Sequence, residues 1–219
     1  MVQTDSRYFA TYCRLDADSE DIHATVNGDA VSVGLEVTLK REEYVNERGK
    51  DVVRCAVYSP RDELMGFLPA NFARRVADLM EAGWTARVCA AAVGFHEATR
   101  TFWVEAAVFA YEAEYADGLG AFTTGCMKRL AAGERPDIRL SDKLIDAALE
   151  NKKFYKEVRN TTSPKQPKGD AYYKRKRTTT ESLIVSGSEK KPGCIVGTVL
   201  FYVAVVAIIA AIVYFVFIR

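Results

Sequence analysis

Between residues 31 and 40 apolar and polar positions alternate without a break. Val31, Val33, Leu35, Val37 and Leu39 are interleaved with Ser32, Gly34, Glu36, Thr38 and Lys40. A period of two predicts a strand with one buried face, over residues 31–41. Residues 52–58 are β-branched and alternating and predict a second strand. SPRD at 59–62 reads as a turn, and 64–68 as a short third strand stopped by Pro69. Pro69 suits a helix start, where a missing N–H costs nothing. Phe72, Val76, Leu79 and Met80 then share one face of a helix over 70–82, and Gly83 is placed to end it. Residues 84–93 and 101–111 alternate again around GFHEAT at 94–99, the pattern of a hairpin. Upstream, residues 8–15 read as a further strand. The order strands, helix, strands predicts a small antiparallel β-barrel with one helix plugging an end.

Downstream the period lengthens. Residues 119–132 form a helix candidate, and Ser141 is placed to cap another that runs through Leu144, Ile145, Ala148 and Leu149. Residues 160–193 are rich in Thr, Ser, Pro, Lys and Gly, the composition of a linker. From Ile195 to Ile218 there are 24 residues without a charge. As a helix they extend about 36 Å, enough for a hydrocarbon core of about 30 Å. The expected organisation is a β-barrel domain at 1–115 with its core at 30–112, a helical extension at 116–159, a basic linker at 160–193, and a transmembrane anchor at 194–219.

Charge adds an orientation. Residues 1–150 hold 17 basic and 25 acidic side chains, whereas 151–219 hold 13 basic and 4 acidic. The Lys/Arg excess ahead of the span places the preceding residues in the cytosol, as in a single-pass tail-anchored membrane protein. Lys174, Arg175, Lys176 and Arg177 are candidates to face anionic lipid headgroups. Gly193, Gly197, Ala204, Ala207 and Ala211 are small and share one helix face, the arrangement through which membrane helices pair, so a homodimer is one implied partner.

Catalytic chemistry has little to stand on. The five cysteines are dispersed, with no CxxC pair, and His23 and His96 are far apart, so no metal site is expected. No GxSxG, HExxH or phosphate-binding GxxxxGK[ST] motif occurs. No catalytic residue and no cofactor is expected.

A resemblance adds a function. Arg41 and Glu42 end the first strand, Ala56, Val57 and Tyr58 lie in the second, and Gly66, Phe67, Leu68 and Pro69 form a Gly-aromatic-Leu-Pro piece. Ala73, Arg74, Leu79 and Met80 follow in a helix. Together they resemble a HIRAN domain over about residues 30–112. The resemblance implies an OB-like barrel and, as in some members, binding of single-stranded DNA ends. The chain departs from the family at Glu43, where the family has Pro, at Cys55, where it has Asn, and across YVNERGKD. Lys40, Arg41, Arg74 and Arg75 are the candidate nucleic-acid contacts. Two functions fit: a non-catalytic module that binds nucleic acid or another polyanion, and a membrane-tethered protein–protein adaptor without the DNA-end pocket.

Overall fold

The computed structural model describes residues 7–17, 22–23, 26, 31–45, 49, 51–162 and 169–174. All lie within one compact unit, Met1–Lys176. Seven strands form one antiparallel sheet: β1 (Tyr8–Arg14), β2 (Glu36–Val45), β3 (Asp51–Tyr58), β4 (Leu64–Phe67), β5 (Thr85–His96), β6 (Thr101–Tyr111) and β7 (Asp170–Lys174). Their order is β1-β6-β5-β2-β3-β4, with β7 also pairing β5. Helices α1 (Ala70–Glu81), α2 (Ala116–Ala131) and α3 (Asp142–Glu150) accompany them.

The mainly antiparallel β class with a few helices is as expected, but the closed barrel is not formed. Among the described residues the two edge strands meet through one isolated bridge, Asp16 to Phe67. Its two backbone hydrogen bonds measure 2.8 and 2.9 Å. Gly66, at φ 140°, permits this approach, since a Cβ there would lie 2.8 Å from the Asp16 carbonyl oxygen.

What replaces a simple barrel is a layered core. One cluster joins Phe9, Val37, Cys55, Val57, Val88, Val93, Val104 and Val108 of the sheet to Ala73, Val76 and Ala77 of α1. A second lies on the opposite face. There Tyr8, Cys89, Phe109 and Tyr111 pack against Leu119, Phe122, Cys126 and Leu130 of α2, Ile145 and Ala148 of α3, and Phe154. Strands β5 and β6 contribute to both clusters, which is why ARVCAAAV and VEAAVFAY are apolar on both sides. Residues 116–158 therefore bury their apolar stripe against the back of the sheet. Ser141 occupies the N-cap position of α3 without a side-chain cap bond, and residues 154–156 form a separate 3-10 turn.

Two further boundaries differ from the sequence pattern. The strand expected from residue 31 starts at Glu36. Gly34 takes φ 81° in a turn closed by Leu35 N–H on the Ser32 carbonyl at 3.0 Å. A Cβ at Gly34 would sit 2.5 Å from that of Ala131, so this turn touches the end of α2. As a result Val31 and Val37 join the α1 side while Val33 packs with the helical layer. Downstream, β7 lies within the stretch expected to be all linker. It pairs with residues 93–96 of β5. The Asp170 side chain, 2% exposed, meets His96 Nδ1 and, at 3.4 Å, Arg14 Nη1.

No helix among the described residues is long and apolar enough to cross a membrane. The apolar segment 195–218 lies outside the described residues, as do Arg175, Lys176, Arg177, Gly193, Gly197, Ala204, Ala207 and Ala211.

Candidate functional site

The hairpin β2–β3 is in register from Thr38 opposite Tyr58 to Val45 opposite Asp51. Strand alternation then decides where each side chain goes. Lys40, Glu42 and Tyr44 share an outer face with Arg54 and Tyr58, and Phe67 joins them opposite Ala56. Arg41 leaves the other side of the strand, towards α1.

The outer face is a mesh of rings and charges. Arg54 lies over the rings of Phe67 at 4.3 Å and Tyr44 at 4.8 Å, and Lys40 over Tyr58 at 4.2 Å. Glu42 is at its centre, accepting from Arg54 Nε at 2.9 Å and from the Tyr58 hydroxyl at 2.7 Å. Those two donors, the Tyr58 bond first, hold the Glu42 carboxyl below its usual range. The same bond pushes the Tyr58 hydroxyl upward. Tyr44, 41% exposed, ends this face, and Val45, 64% exposed, follows on the opposite face of the strand.

The turn after β3 completes the face. Buried Ser59 accepts from Arg61 N–H at 3.2 Å and Glu63 N–H at 3.3 Å, and its carbonyl accepts from Asp62 N–H at 2.9 Å. Asp62, at φ 62°, is thereby presented to Lys40 Nζ at 2.6 Å. That bond raises the Lys40 ammonium above its ordinary value.

Of the four cations singled out in the sequence, only Lys40 belongs to this face. Arg41 pairs with Glu43 at 2.7 Å and with Glu81, at the end of α1, at 3.5 Å. Arg74 is exposed on α1. Arg75 lies over Phe9 at 4.3 Å, beneath β1. The four do not converge. Lys174 ends β7, where it is registered opposite Val93 of β5. Arg54 is the residue the sequence reading missed, although its position opposite Glu42 and two before Ala56 follows from the β2–β3 alternation.

Nucleophiles are poorly served. Cys13, Cys55, Cys89 and Cys126 are all buried free thiols. Burial pushes Cys13 and Cys126 up to about 12 and Cys55 to about 11, with Cys89 also driven upward. Thiols held protonated are weak nucleophiles and weak metal ligands. Among the described residues no group of three or more His, Cys, Asp or Glu is placed to hold a metal ion. Comparison with protein-family models, with curated proteins and with solved structures finds no match to this chain.

Proposed function

We propose that the chain is a non-catalytic, HIRAN-like binding module, held at the cytosolic face of a membrane by residues 195–218, whose β2–β4 face engages single-stranded nucleic acid. The observation that carries this reading is the interleaving of Tyr44, Tyr58 and Phe67 with Lys40 and Arg54 on one sheet face. Extended single strands are held by aromatic faces that stack on bases and by cations that meet phosphates. In this reading Arg54 and Lys40 exchange their carboxylate partners for phosphate oxygens, and Tyr44 is the most accessible ring. The basic run ahead of residue 195 attracts anionic lipid headgroups and keeps the module close to the bilayer.

A protein–protein adaptor is the second reading. Glu42 at the centre of the face favours it, because a carboxylate there repels phosphate, and the exposed pair Tyr44 and Val45 suits an apolar partner.

Fluorescence anisotropy with the full chain in detergent micelles separates the two. Labelled single-stranded DNA and RNA, with free and blocked 3′ ends, are titrated at low salt. Binding that falls at least roughly tenfold in the Arg54→Ala, Tyr58→Ala double variant supports the nucleic-acid reading, since stacking contributes about 1–3 kcal/mol per base. Wild-type chain that binds no strand at micromolar concentration removes that reading and leaves the adaptor.

A further inference from the structure

On the back of the sheet, α2 borders a cleft of about 470 Å³. Its lining includes Arg87, Thr124, Lys128, Lys152, Lys153 and Tyr155, and contains no acidic residue. Four cations thus line one cleft, Arg87 and Lys128 coming from residues 1–150, which carry a clear acidic excess. We propose that this cleft binds a phosphate monoester group, presented either by a lipid headgroup or by a free small molecule.

The cleft is built rather than incidental. Arg87 is its fixed wall. It donates to both oxygens of Glu36 at 2.6 and 2.7 Å, and also to Thr124 Oγ1 at 2.9 Å and the Gly120 carbonyl at 3.2 Å. The opposite wall is the turn after α3. Asn151 Oδ1 accepts from Lys153 N–H at 2.9 Å, and the buried Phe154 ring pins the turn to the sheet. Arg129 then ties the next residues down, donating to the Tyr155 and Val158 carbonyls at 2.6 and 2.7 Å. Tyr155 lies flat on α2 because position 125 is glycine. A Cβ there would fall 2.0 Å from the ring.

Within this frame the lysines are the adjustable donors. Lys128 and Lys153 are exposed and form no ion pair with any described residue. Lys152 reaches Asp117 at 2.8 Å on the rim. Three ammonium groups match the three terminal oxygens of a phosphomonoester, which carries nearly two negative charges at neutral pH. A lone carboxylate would leave at least one lysine without a partner. Lys152 and Lys153 also open the basic run that leads towards residue 195, which makes a headgroup a natural source.

The full chain in detergent micelles is titrated by calorimetry with inorganic phosphate, with dihexanoyl phosphatidic acid and, as a control, with dihexanoyl phosphatidylcholine. Saturable binding of the first two and none of the third is expected. K128Q/K153Q should weaken it at least tenfold at unchanged melting temperature, K128R/K153R should retain it, and K174Q/R175Q/K176Q/R177Q should leave it intact. Phosphatidic acid binding more than tenfold tighter than phosphate identifies a lipid headgroup as the source, and comparable binding a free ligand. Wild type that saturates with neither anion overturns the proposal. So does a K128Q/K153Q variant that binds like wild type, or a loss confined to the 174–177 variant. None of these outcomes depends on nucleic-acid binding by strands β2–β4.

Discussion

Glu105, in the middle of β6, is held by both terminal nitrogens of Arg135, which arrives from the loop after α2. Glu105 is 8% exposed, and the Arg135 guanidinium also covers the Tyr12 ring at 3.8 Å. The pair fastens the helical layer to the strand that both core clusters share. Removing one partner leaves an uncompensated charge in a dry place. Arg135→Ala is expected to cost about 3–5 kcal/mol, whereas Glu105→Leu with Arg135→Leu is expected to lie near wild type. Chemical denaturation of the three proteins decides the matter.

A second expectation concerns Gly125. The Tyr155 ring occupies the space that a side chain at 125 would need. Gly125→Ala forces the ring off α2 and should destabilise by about 1–3 kcal/mol despite alanine's better helix propensity. The melting temperature should therefore fall. A rise would mean that Tyr155 moves away at no cost.

Much of this architecture was legible in the sequence, and the parts that were not have physical reasons. Period-two alternation located β3 to β6 closely, because each has a face against the α1 cluster. Pro69 and Gly83 bounded α1, with Gly83 at φ 86° and Trp84 N–H on the Leu79 carbonyl at 3.0 Å. The barrel was misjudged because one feature was read too narrowly. Ala106 to Tyr111 and Cys89 to Val93 are apolar on both faces, and a strand buried on both faces demands a second covering layer. Helices α2 and α3 are that layer. Strand β7 was hidden because DAYYK is short and polar and gains its order from pairing with β5. At the candidate sites, the partner of Lys40, Asp62, lies 22 residues away, and Arg41, besides the nearby Glu43, reaches Glu81, 40 residues away. Likewise Lys128 and Lys153 come to line one cleft only once α2 and the turn after α3 have packed. Such neighbours arise from tertiary structure and leave no local signal.

The ion pair between Glu36 and Arg87 gives a pH dependence. The hydrogen bond from Arg87 holds the Glu36 carboxyl below its ordinary value. A carboxyl lowered in the folded state stabilises fully above its unfolded value and ceases to do so as pH falls through its folded value. Wild type should therefore exceed Glu36→Gln in urea midpoint at neutral pH. The margin should shrink as pH falls below the ordinary glutamate range. Because Glu36 is half exposed, the margin at neutral pH should be modest and should narrow further in high salt.

Thiol chemistry supplies a fourth check. Cys13, Cys55, Cys89 and Cys126 are buried and raised above the ordinary thiol range by that burial. In the native protein at about pH 8, where an unperturbed thiol is partly ionised, all four should resist maleimide. Peptide mapping after labelling in denaturant should then find them modified. Rapid native labelling of Cys55 would show that α1 lifts from β3, because its Sγ donates to the Ala73 carbonyl at 3.3 Å beneath that helix.

The orientation inferred from the Lys/Arg excess is tested by protease access. In intact cells, residues 1–176 should resist externally added protease and become sensitive once the membrane is opened by detergent. Digestion in intact cells would reverse the assigned orientation.

The single bridge between Asp16 and Phe67 bears on how the molecule behaves in crowded solution. An open sheet offers two rows of unpaired backbone groups, and these are templates for another chain to extend. Here β4 is four residues long, and its last residue is already joined to the chain that leaves β1. At that corner the two borders meet, and only the short β4 ladder is left beside it for a second copy to extend. A bulkier residue at Gly66 would press on the Asp16 carbonyl and part the seam. The β4 border would then be exposed along its full length as a nucleus for edge-to-edge aggregation.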